Sequence, residues 1–235
     1  MRSTMRPPLD RNGEVMMLFR DRSDAGHRLA AVLQHYRHQR PVVLALPRGG
    51  LPVAAEVSAA LDAPLDLVIA RKIGVPFQPE LAMGALAEEG APVRNDDVIR
   101  LAGITDAEFM AVCDRERAEI RRRRRRYLGD HAPLPVADRT AIVIDDGIAT
   151  GATMRAALLS VRARKPKKIV LAVPVAPADT VEGLRDAADE VVCLETPEVF
   201  HGIGMFYGDF RQVEDQEVVD ILAREHRKGS AAGEP

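Results

Sequence analysis

The chain has 235 residues, 46% of them hydrophobic and 29% charged, which is enough apolar sequence to bury one good core. Its 33 Lys and Arg residues are balanced by 35 Asp and Glu residues, so the overall charge is not that of a general nucleic-acid-binding protein. No apolar run is long enough for a membrane helix, and the Arg-containing N-terminus lacks the apolar core of a signal peptide. The expected location is therefore cytoplasmic, with no membrane partner.

Apolar strands alternate with helix-like segments along the chain. Five short strands are predicted, near Val42, Leu65, Ala141, Ile169 and Val191. This alternation predicts an α/β fold, in which a Rossmann-like, mainly parallel five-stranded sheet is flanked by helices. Residues 14–227 are expected to form a single domain, with flexible tails at 1–13 and 228–235.

Cysteine and histidine give no sign of a metal site. Cys113 lies in a helix-like stripe and Cys193 in a strand, so both are expected to be buried, reduced thiols rather than a disulfide or metal ligands. The six histidines show no metal-ligand spacing. No protein-bound metal is therefore predicted.

The first predicted strand ends in a basic, glycine-containing turn. Residues 42–46 are followed by Pro47, Arg48, Gly49 and Gly50, and then by a helix-like segment. Arginine offers a forked array of donors and glycines expose backbone N–H groups, a combination that suits a diphosphate. Taken alone, however, this string favours a plain turn.

The next strand, residues 65–70, delivers Arg71 and Lys72 at its end. Without context, two adjacent cations there fit a solvated strand end as well as a binding site. Residues 73–92 then contain three prolines, and the adjacent carboxylates Glu88 and Glu89 lie near the end of this segment.

A long helix is predicted after Thr105, because Thr105 and Glu108 form a capping-box pattern. This helix runs into six consecutive arginines, residues 121–126. At about 100° per residue they point all around the helix, so they cannot face one partner together. A solvated helix end or salt bridges between subunits is the favoured interpretation, and a nucleic-acid surface is the alternative.

The most specific pattern spans residues 141–153. An apolar strand ends in Asp145 and Asp146, and a loop of small residues and hydroxyls follows. Glycines in the loop and N–H groups at the start of the next helix suit a phosphate, whereas the carboxylates can accept hydrogen bonds from vicinal hydroxyls. A sugar that carries a phosphate satisfies both halves. The Walker A and dinucleotide-binding patterns do not match.

This stretch closely resembles the 5-phosphoribosyl-1-pyrophosphate (PRPP) motif of type I phosphoribosyltransferases, and the resemblance extends over roughly residues 19–222. It implies the fold of that family, with a small hood. Asp145 and Asp146 would hold the ribose hydroxyls, and the 5′-phosphate would be bound by Gly147, Ile148, Ala149, Thr150, Gly151, Ala152 and Thr153. The pyrophosphate would be bound by Arg48, Gly49 and Gly50, in a loop where one peptide bond is commonly cis without a proline.

The resemblance also implies a reaction, in which pyrophosphate leaves C1 of the ribose. Mg²⁺ is the expected cofactor, and the catalytic cations would be Arg71 and Lys72, helped by Arg48. The metal is expected to be carried by PRPP, with Asp145 and Asp146 as outer-shell contacts at most. Residues 73–92 correspond to a mobile loop of the family that closes over the reaction.

The acceptor is the least defined part of the prediction. Ala149 stands where 6-oxopurine enzymes have an aspartate, and the loop is closest to that of adenine phosphoribosyltransferase. By that resemblance Glu88 or Glu89 is a candidate for proton transfer, although a solvent-facing pair is the favoured alternative.

A hood is expected from the N-terminal segment and residues 195–212, the most aromatic part of the chain. Phe206 and Tyr207 are the candidates to stack on a planar acceptor. For each single ring, packing in the core of the hood is the favoured alternative.

The layout most resembles the uncharacterised "predicted phosphoribosyltransferase" group, which has no settled acceptor. The predicted function is Mg²⁺-dependent transfer of the 5-phosphoribosyl group of PRPP to a nitrogen acceptor, with a nucleobase favoured and a place in nucleotide salvage. The alternative is a PRPP-sensing regulator that binds RNA or DNA through a basic face. The resemblance also implies a homodimer.

Overall fold

The computed structural model describes residues 18–231, and side chains as far as residue 225. Its helices are α1 (Arg22–Leu33), α2 (Gly50–Leu61), α3 (Asp96–Leu101), α4 (Asp106–Leu128), α5 (Ala152–Ala163), α6 (Ala178–Gly183) and α7 (Asp215–Ala231). Its strands are β1 (Val42–Ala45), β2 (Leu65–Leu67), β3 (Ala70–Val75), β4 (Gln78–Ala87), β5 (Val93–Arg94), β6 (Thr140–Ile144), β7 (Lys168–Val175) and β8 (Glu190–Glu195). Residues Gln34–Gln39 form one 3₁₀ helix, and Ile203–Phe206 form another.

The predicted tails have different outcomes. Residues 1–13 lie outside the described residues. At the other end α7 continues through Ala231, so residues 228–231 of the predicted C-terminal tail are helical, and residues 232–235 again lie outside.

The predicted parallel sheet is confirmed. Its strand order is β2-β1-β6-β7-β8, and each neighbouring pair is parallel. The chain proceeds outward from β1 to β2 on one side and from β6 through β7 to β8 on the other. The connections therefore diverge between β1 and β6, and the carboxyl ends of these two strands flank the crevice where open α/β sheets bind ligands.

Both faces of this sheet are covered. Val43 and Ile142 point into one core cluster, which contains residues of α1, α2 and α4. Leu44 and Val143 point into a second cluster, which contains residues of α5. Because successive strand residues alternate between the faces, a strand buried on both sides must be apolar throughout, which is why the apolar runs predict these strands.

The prediction that residues 73–92 form a loop is wrong, because most of this segment is β-strand. β3, β4 and β5 form a separate antiparallel sheet, with the turn between β3 and β4 at Pro76 and Phe77. Ile73 and Met83 are fully buried in the core cluster that also contains Phe109 of α4. Apolar packing against α4 therefore orders most of the segment, and Pro76 lies in the turn, where it breaks no strand pairing.

The predicted strand at 65–70 also divides. β2 ends at Leu67, and the chain enters the antiparallel sheet at Ala70. Arg71 and Lys72 consequently lie within β3 rather than after a strand of the parallel sheet. Because neighbouring residues of a strand face opposite sides, the two cations cannot point to the same place.

The capping box of α4 is confirmed. The Thr105 hydroxyl accepts a hydrogen bond from the Glu108 N–H at 3.3 Å, and the Glu108 carboxylate accepts one from the Thr105 N–H at 2.9 Å. This reciprocal pair satisfies two backbone donors at the end of a 23-residue helix.

Four of the six arginines at 121–126 form ion pairs within the chain. Arg122 and Arg123 contact Glu119, Arg124 contacts Glu88, and Arg126 contacts Asp215. These salt bridges lie within one chain, so salt bridges between subunits stay a prediction. These pairs neutralise much of the run.

No helix within residues 18–231 combines the length and the apolar character needed to cross a membrane.

We predict that Thr105→Ala lowers the free energy of unfolding by about 1 kcal/mol, because it removes the side-chain partner of a helix-end N–H. Urea unfolding followed by circular dichroism measures this change. Thr105→Ser keeps the hydroxyl and should stay close to wild type. Equal unfolding midpoints for the alanine variant and wild type would contradict the assigned role of the cap.

Candidate functional site

Two of the predicted binding loops meet at the crevice between β1 and β6. Ala45 pairs with Ile144 at the carboxyl ends of these strands, and the Leu46 N–H donates to the Ile144 carbonyl at 2.9 Å. The turn at 47–50 therefore lies directly beside Asp145 and Asp146. Sequence separation hides this proximity, but parallel pairing of the two strands requires it.

Gly49 and Gly50 are needed because the turn presses against the acidic pair. A Cβ on Gly49 would come within 3.0 Å of Asp146 Oδ1 and closer still to Oδ2. A Cβ on Gly50 would lie 2.8 Å from the Asp145 Cα atom. The peptide bond between Pro47 and Arg48 is cis, as the resemblance predicts. These glycines let backbone and carboxylates share one confined site.

The Arg48 side chain leaves this turn towards α7. Its guanidinium lies 3.7 Å from Asp215, the first residue of α7. Asp215 also accepts a hydrogen bond from the Tyr127 hydroxyl at 2.6 Å and pairs with Arg126. The hydrogen bond from Tyr127 and the charges of the arginines hold the pKa of Asp215 below its usual value. Arg48 thus ties the turn to α4 and α7.

The two carboxylates of the acidic pair have different surroundings. The Asp145 carboxylate accepts the Asp146 N–H at 2.9 Å. Burial and the adjacent Asp146 carboxylate raise the pKa of Asp145 well above that of an ordinary aspartate. Burial also raises the pKa of Asp146, but the positive charge of Arg22 opposes this shift. The site therefore holds two carboxylates that repel each other, and Asp146 is the one that pairs with a cation, Arg22.

Sequence reasoning missed that cation. Arg22 Nε donates to Asp146 Oδ2 at 2.7 Å, although 124 positions separate the residues in the chain. No local pattern distinguishes Arg22 from a helix-start arginine. The only available signal was its position within residues 19–222, the part of the chain over which the family resemblance extends.

The loop after the acidic pair has the geometry of an anion site. Gly151, with φ of +77°, is the N-cap of α5, and no side chain caps the first N–H groups of this helix. The loop is held by the Ile148 N–H, which donates to the Val175 carbonyl, and by the Thr180 hydroxyl, which donates to the Ala149 carbonyl. Gly147 and Ile148 are buried, whereas Ala149 and Thr150 are exposed. Free helix-start donors on a fixed loop suit a phosphate.

A cleft of about 1070 Å³ extends from this loop to the antiparallel sheet. Its lining includes Lys72, Thr150, Gly151, Ala152 and Thr153. Lys72 forms a solvent-exposed ion pair with Glu80 at 2.7 Å, which is weak enough for another anion to replace. Of the two predicted cations in β3, Lys72 is thus the one that faces the phosphate loop.

Arg71 points elsewhere. Its guanidinium pairs with Glu116 of α4, and it is not part of the cleft lining. The sequence prediction treated Arg71 and Lys72 as equivalent, whereas the alternation of β3 places them on opposite faces.

Glu88 and Glu89 also lie away from the predicted loops. The Glu89 N–H donates to the Ser160 hydroxyl at 3.3 Å, and Ser160 is about 10 Å along α5 from Thr153. Glu88 pairs with Arg124 at 2.9 Å, and burial raises the pKa of its carboxyl. Glu89 thus faces solvent, as the favoured alternative has it, whereas Glu88 is half-buried in an ion pair with α4.

The segments from which the hood is predicted contact each other, and the two candidate rings lie inside that contact. A parallel bridge joins Phe19 to Tyr207, and the Phe19 N–H donates to the Phe206 carbonyl. Phe206 is 1% exposed and Tyr207 4% exposed, in a cluster with Phe19 and Val175. Neither ring can stack on an acceptor in this conformation, so the alternative of packing in the hood core is correct. The Tyr207 hydroxyl instead donates to the Asp146 carbonyl at 2.6 Å.

Within the described side chains, no group of three or more His, Cys, Asp and Glu residues has the arrangement of a metal site. Asp145 and Asp146 still provide carboxylate oxygens of the kind that hard cations prefer. A cation held there would need further ligands from a substrate or from water.

We predict that Asp145→Asn stabilises the protein in the absence of ligand near neutral pH, by on the order of 1 kcal/mol. Because the pKa of Asp145 is raised in the folded state, folding favours the protonated carboxyl. Wild type therefore loses stability as the pH rises through the folded-state pKa of Asp145. Asparagine carries no charge and keeps the oxygen that accepts the Asp146 N–H.

Thermal unfolding of Asp145→Asn and wild type between about pH 3 and pH 8 tests this prediction. The gain should disappear near about pH 3, where Asp145 is protonated in both states. Asp220→Asn, at an exposed position of α7, is the control and should show no gain. A variant less stable than wild type near neutral pH would contradict the prediction.

Comparisons with known proteins show which family the chain belongs to. The model of the family described as "Phosphoribosyl transferase domain" matches residues 22–209. Proteins named "Putative phosphoribosyl transferase" from two strains of Mycobacterium tuberculosis are 49% identical over 218 residues, which cover 93% of this chain and 49% of the relative. This chain therefore spans about half the length of those curated relatives.

The chain is also similar to a solved structure. That structure, of the protein TT1426 from Thermus thermophilus, is 41% identical, with a TM-score of 0.75 over 88% of this chain and 99% of that one. The family match includes the acidic pair, both loops at the crevice and Arg22. The chain belongs to the phosphoribosyl transferase family.

Proposed function

We propose that this protein is a phosphoribosyltransferase that binds PRPP at the crevice between β1 and β6 and transfers its 5-phosphoribosyl group to a nitrogen acceptor, with release of pyrophosphate. One observation carries the proposal. The turn at 47–50, the acidic pair and the phosphate loop converge on one site, although about 100 residues separate the first from the others. A fold alone does not define a function, whereas a site of this composition indicates one.

Each part of the site matches one part of PRPP. The carboxylates of Asp145 and Asp146 can accept hydrogen bonds from the 2′- and 3′-hydroxyls of the ribose. The free N–H groups at the start of α5, with the hydroxyls of Thr150 and Thr153, suit the 5′-phosphate. The glycine turn after β1 offers backbone donors to the pyrophosphate. A ligand that spans these parts would have its C1 atom between the acidic pair and the turn.

Positive charge near the leaving group would come from Lys72 and Arg48. Lys72 faces the cleft beside the phosphate loop, and Arg48 stands on the turn itself. Donors fixed before the reaction stabilise charge that develops on a leaving group without a cost of reorganisation. We leave Glu88 and Glu89 out of proton transfer, because both lie towards the far end of α5. We also leave Arg71 out, because its guanidinium pairs with Glu116 on the face of β3 opposite to Lys72.

We propose that Mg²⁺ is carried in by PRPP. The oxygens of Asp145 and Asp146 have the hard character that this ion prefers, but two carboxylates alone do not complete its coordination. A bound Mg²⁺ supplies charge neutralisation for the departing pyrophosphate. Arg22 already contacts Asp146, so we expect the two carboxylates to act as outer-shell contacts.

The acceptor is proposed to be a nucleobase or a related nitrogen compound. Ala149 is exposed and carries no carboxylate that could serve an oxopurine in the usual manner. The PRPP-sensing alternative gains no specific support from the arginine run, because four of its six members pair with acids of the same chain. The homodimer and the cytoplasmic location stay predictions.

The proposal is tested by measuring pyrophosphate release from PRPP and Mg²⁺ across a panel of purines, pyrimidines and other nitrogen compounds. Release that depends on one acceptor would establish the transferase and identify the substrate. PRPP binding followed by calorimetry, with no release for any acceptor, would favour the sensing protein. Absence of PRPP binding would overturn both.

We predict that Asp145→Asn and Asp146→Asn each weaken PRPP binding by about tenfold or more, and that the double variant does not bind measurably. The reason is that an amide offers one acceptor oxygen where a carboxylate offers two and carries a charge. Titration calorimetry measures the affinity, with Asp220→Asn as a matched surface control. Unchanged affinity in the double variant would contradict the site assignment.

We predict that Lys72→Ala lowers the rate of pyrophosphate release by about 10²-fold, with a smaller effect on PRPP affinity, because the charge on the leaving group grows in the transition state. Single-turnover kinetics at saturating PRPP measures this rate. Lys167→Ala removes an exposed lysine before β7 and should leave the rate unchanged. A wild-type rate for Lys72→Ala would remove Lys72 from the proposed machinery.

A further inference from the structure

Arg22 connects three parts of the molecule that the sequence keeps far apart. Its Nε donates to Asp146 Oδ2 at 2.7 Å, and its Nη1 donates to the Arg211 carbonyl at 2.8 Å. The central carbon of its guanidinium lies over the Phe210 ring, 3.9 Å from the ring centre. Its side chain is only 11% exposed. An arginine enclosed in this way has lost most of its freedom to move, so its contacts define one geometry.

The other contacts of Asp146 reinforce that geometry. The Tyr207 hydroxyl donates to the Asp146 carbonyl at 2.6 Å, so the hood holds both the main chain and, through Arg22, the side chain of this residue. On the opposite side, Gly49 approaches the carboxylate so closely that no Cβ fits between them. Asp146 is therefore fixed between the hood and the turn after β1.

The charges explain why this arginine is needed. Asp146 is buried, and the neighbouring carboxylate of Asp145, a half-buried residue, repels it. Within residues 18–225, Arg22 is the cation that pairs with Asp146. A buried carboxylate without a partner would turn towards another donor or take up a proton. Either change would spoil its geometry towards a ligand.

We propose that Arg22 is a positioning residue of the ribose site. It orients Asp146 to accept a hydrogen bond from a ribose hydroxyl of PRPP, and it couples this orientation to residues 210–211 of the hood. The inference rests on the proposed function, since it names a determinant of PRPP binding at the same site. Arg22 acts through Asp146 rather than by contact with the reacting atoms.

A role of Arg22 as a competitor of the ribose would have the opposite effect on PRPP binding. If Arg22 occupied the place of the ribose, PRPP would have to displace it, and removal of the arginine would tighten binding. If Arg22 positions the carboxylate, its removal weakens binding. The sign of the change in affinity therefore separates the two roles.

The experiment measures PRPP and inorganic pyrophosphate binding to wild type, Arg22→Gln, Arg22→Lys and Arg28→Gln by calorimetry. Arg28 is the matched control, because it lies on the same helix and its guanidinium stands 5.3 Å from the Phe19 ring of the hood cluster, but it pairs with Asp24 rather than with the acidic pair. Circular dichroism and thermal unfolding check that each variant is folded.

We expect Arg22→Gln to weaken PRPP binding by about tenfold or more, the typical worth of a hydrogen bond to a charged group. Pyrophosphate binding should change by less than about twofold, because its affinity does not depend on the Asp146 carboxylate. Arg22→Lys should fall between glutamine and wild type, since lysine keeps the charge but lacks the planar fork that reaches Asp146 and Arg211 together. Arg28→Gln should bind like wild type.

Several results would overturn the inference. Unchanged or tighter PRPP binding in Arg22→Gln would exclude positioning, and equal losses for PRPP and pyrophosphate would indicate general damage. If the glutamine variant does not fold, Arg22→Lys decides, since a lysine variant with wild-type affinity removes the coupling to the hood. Wild-type protein that binds no PRPP would overturn the proposed function as well, so the two failures are distinguishable.

Discussion

The constraint on which the rest of this structure depends is the confinement of two adjacent carboxylates, Asp146 buried and Asp145 half-buried, at the carboxyl end of a central strand. Asp145 and Asp146 repel each other and are largely removed from water, so the surrounding protein must hold them in place. Arg22 supplies a charge from α1, and Tyr207 supplies a donor from the hood. The glycine turn after β1 supplies the space for this arrangement.

The parallel sheet makes that arrangement possible. Strands covered on both faces bring their carboxyl ends to one edge, and the diverging connections leave a crevice between β1 and β6. The cost of burying the acidic pair is offset by two apolar cores, one on each face of the sheet. The acidic pair destabilises the ligand-free protein but suits a ligand with several hydroxyls and a phosphate. Such a conflict between stability and function is common at functional sites.

Features determined by local sequence could be predicted. The five strands follow from apolar runs, the start of α4 follows from Thr105 and Glu108, and the acidic pair with its loop follows from one continuous motif. In each case neighbouring residues carry the physical cause, namely burial on both faces, a helix-end donor or a strand-to-helix turn. The cis bond before Arg48 could be anticipated only through the family resemblance.

Features determined by distant contacts could not be predicted. Pairing of β3 with β4 depends on packing against α4, and the opposite directions of Arg71 and Lys72 follow only once β3 is known to be a strand. Packing in the hood core is already the favoured interpretation for Phe206 and Tyr207 from the sequence, but only the fold shows which residues they pack against. Arg22 meets Asp146 across 124 positions, beyond the reach of any local pattern.

The most direct test of the central claim is a crystal structure of the protein with PRPP and Mg²⁺. The account predicts that the ribose hydroxyls lie within hydrogen-bond distance of Asp145 and Asp146, with the 5′-phosphate at the start of α5 and the pyrophosphate beside Gly49 and Gly50. PRPP bound with its ribose away from the acidic pair, for instance wholly between the antiparallel sheet and α6, would contradict it.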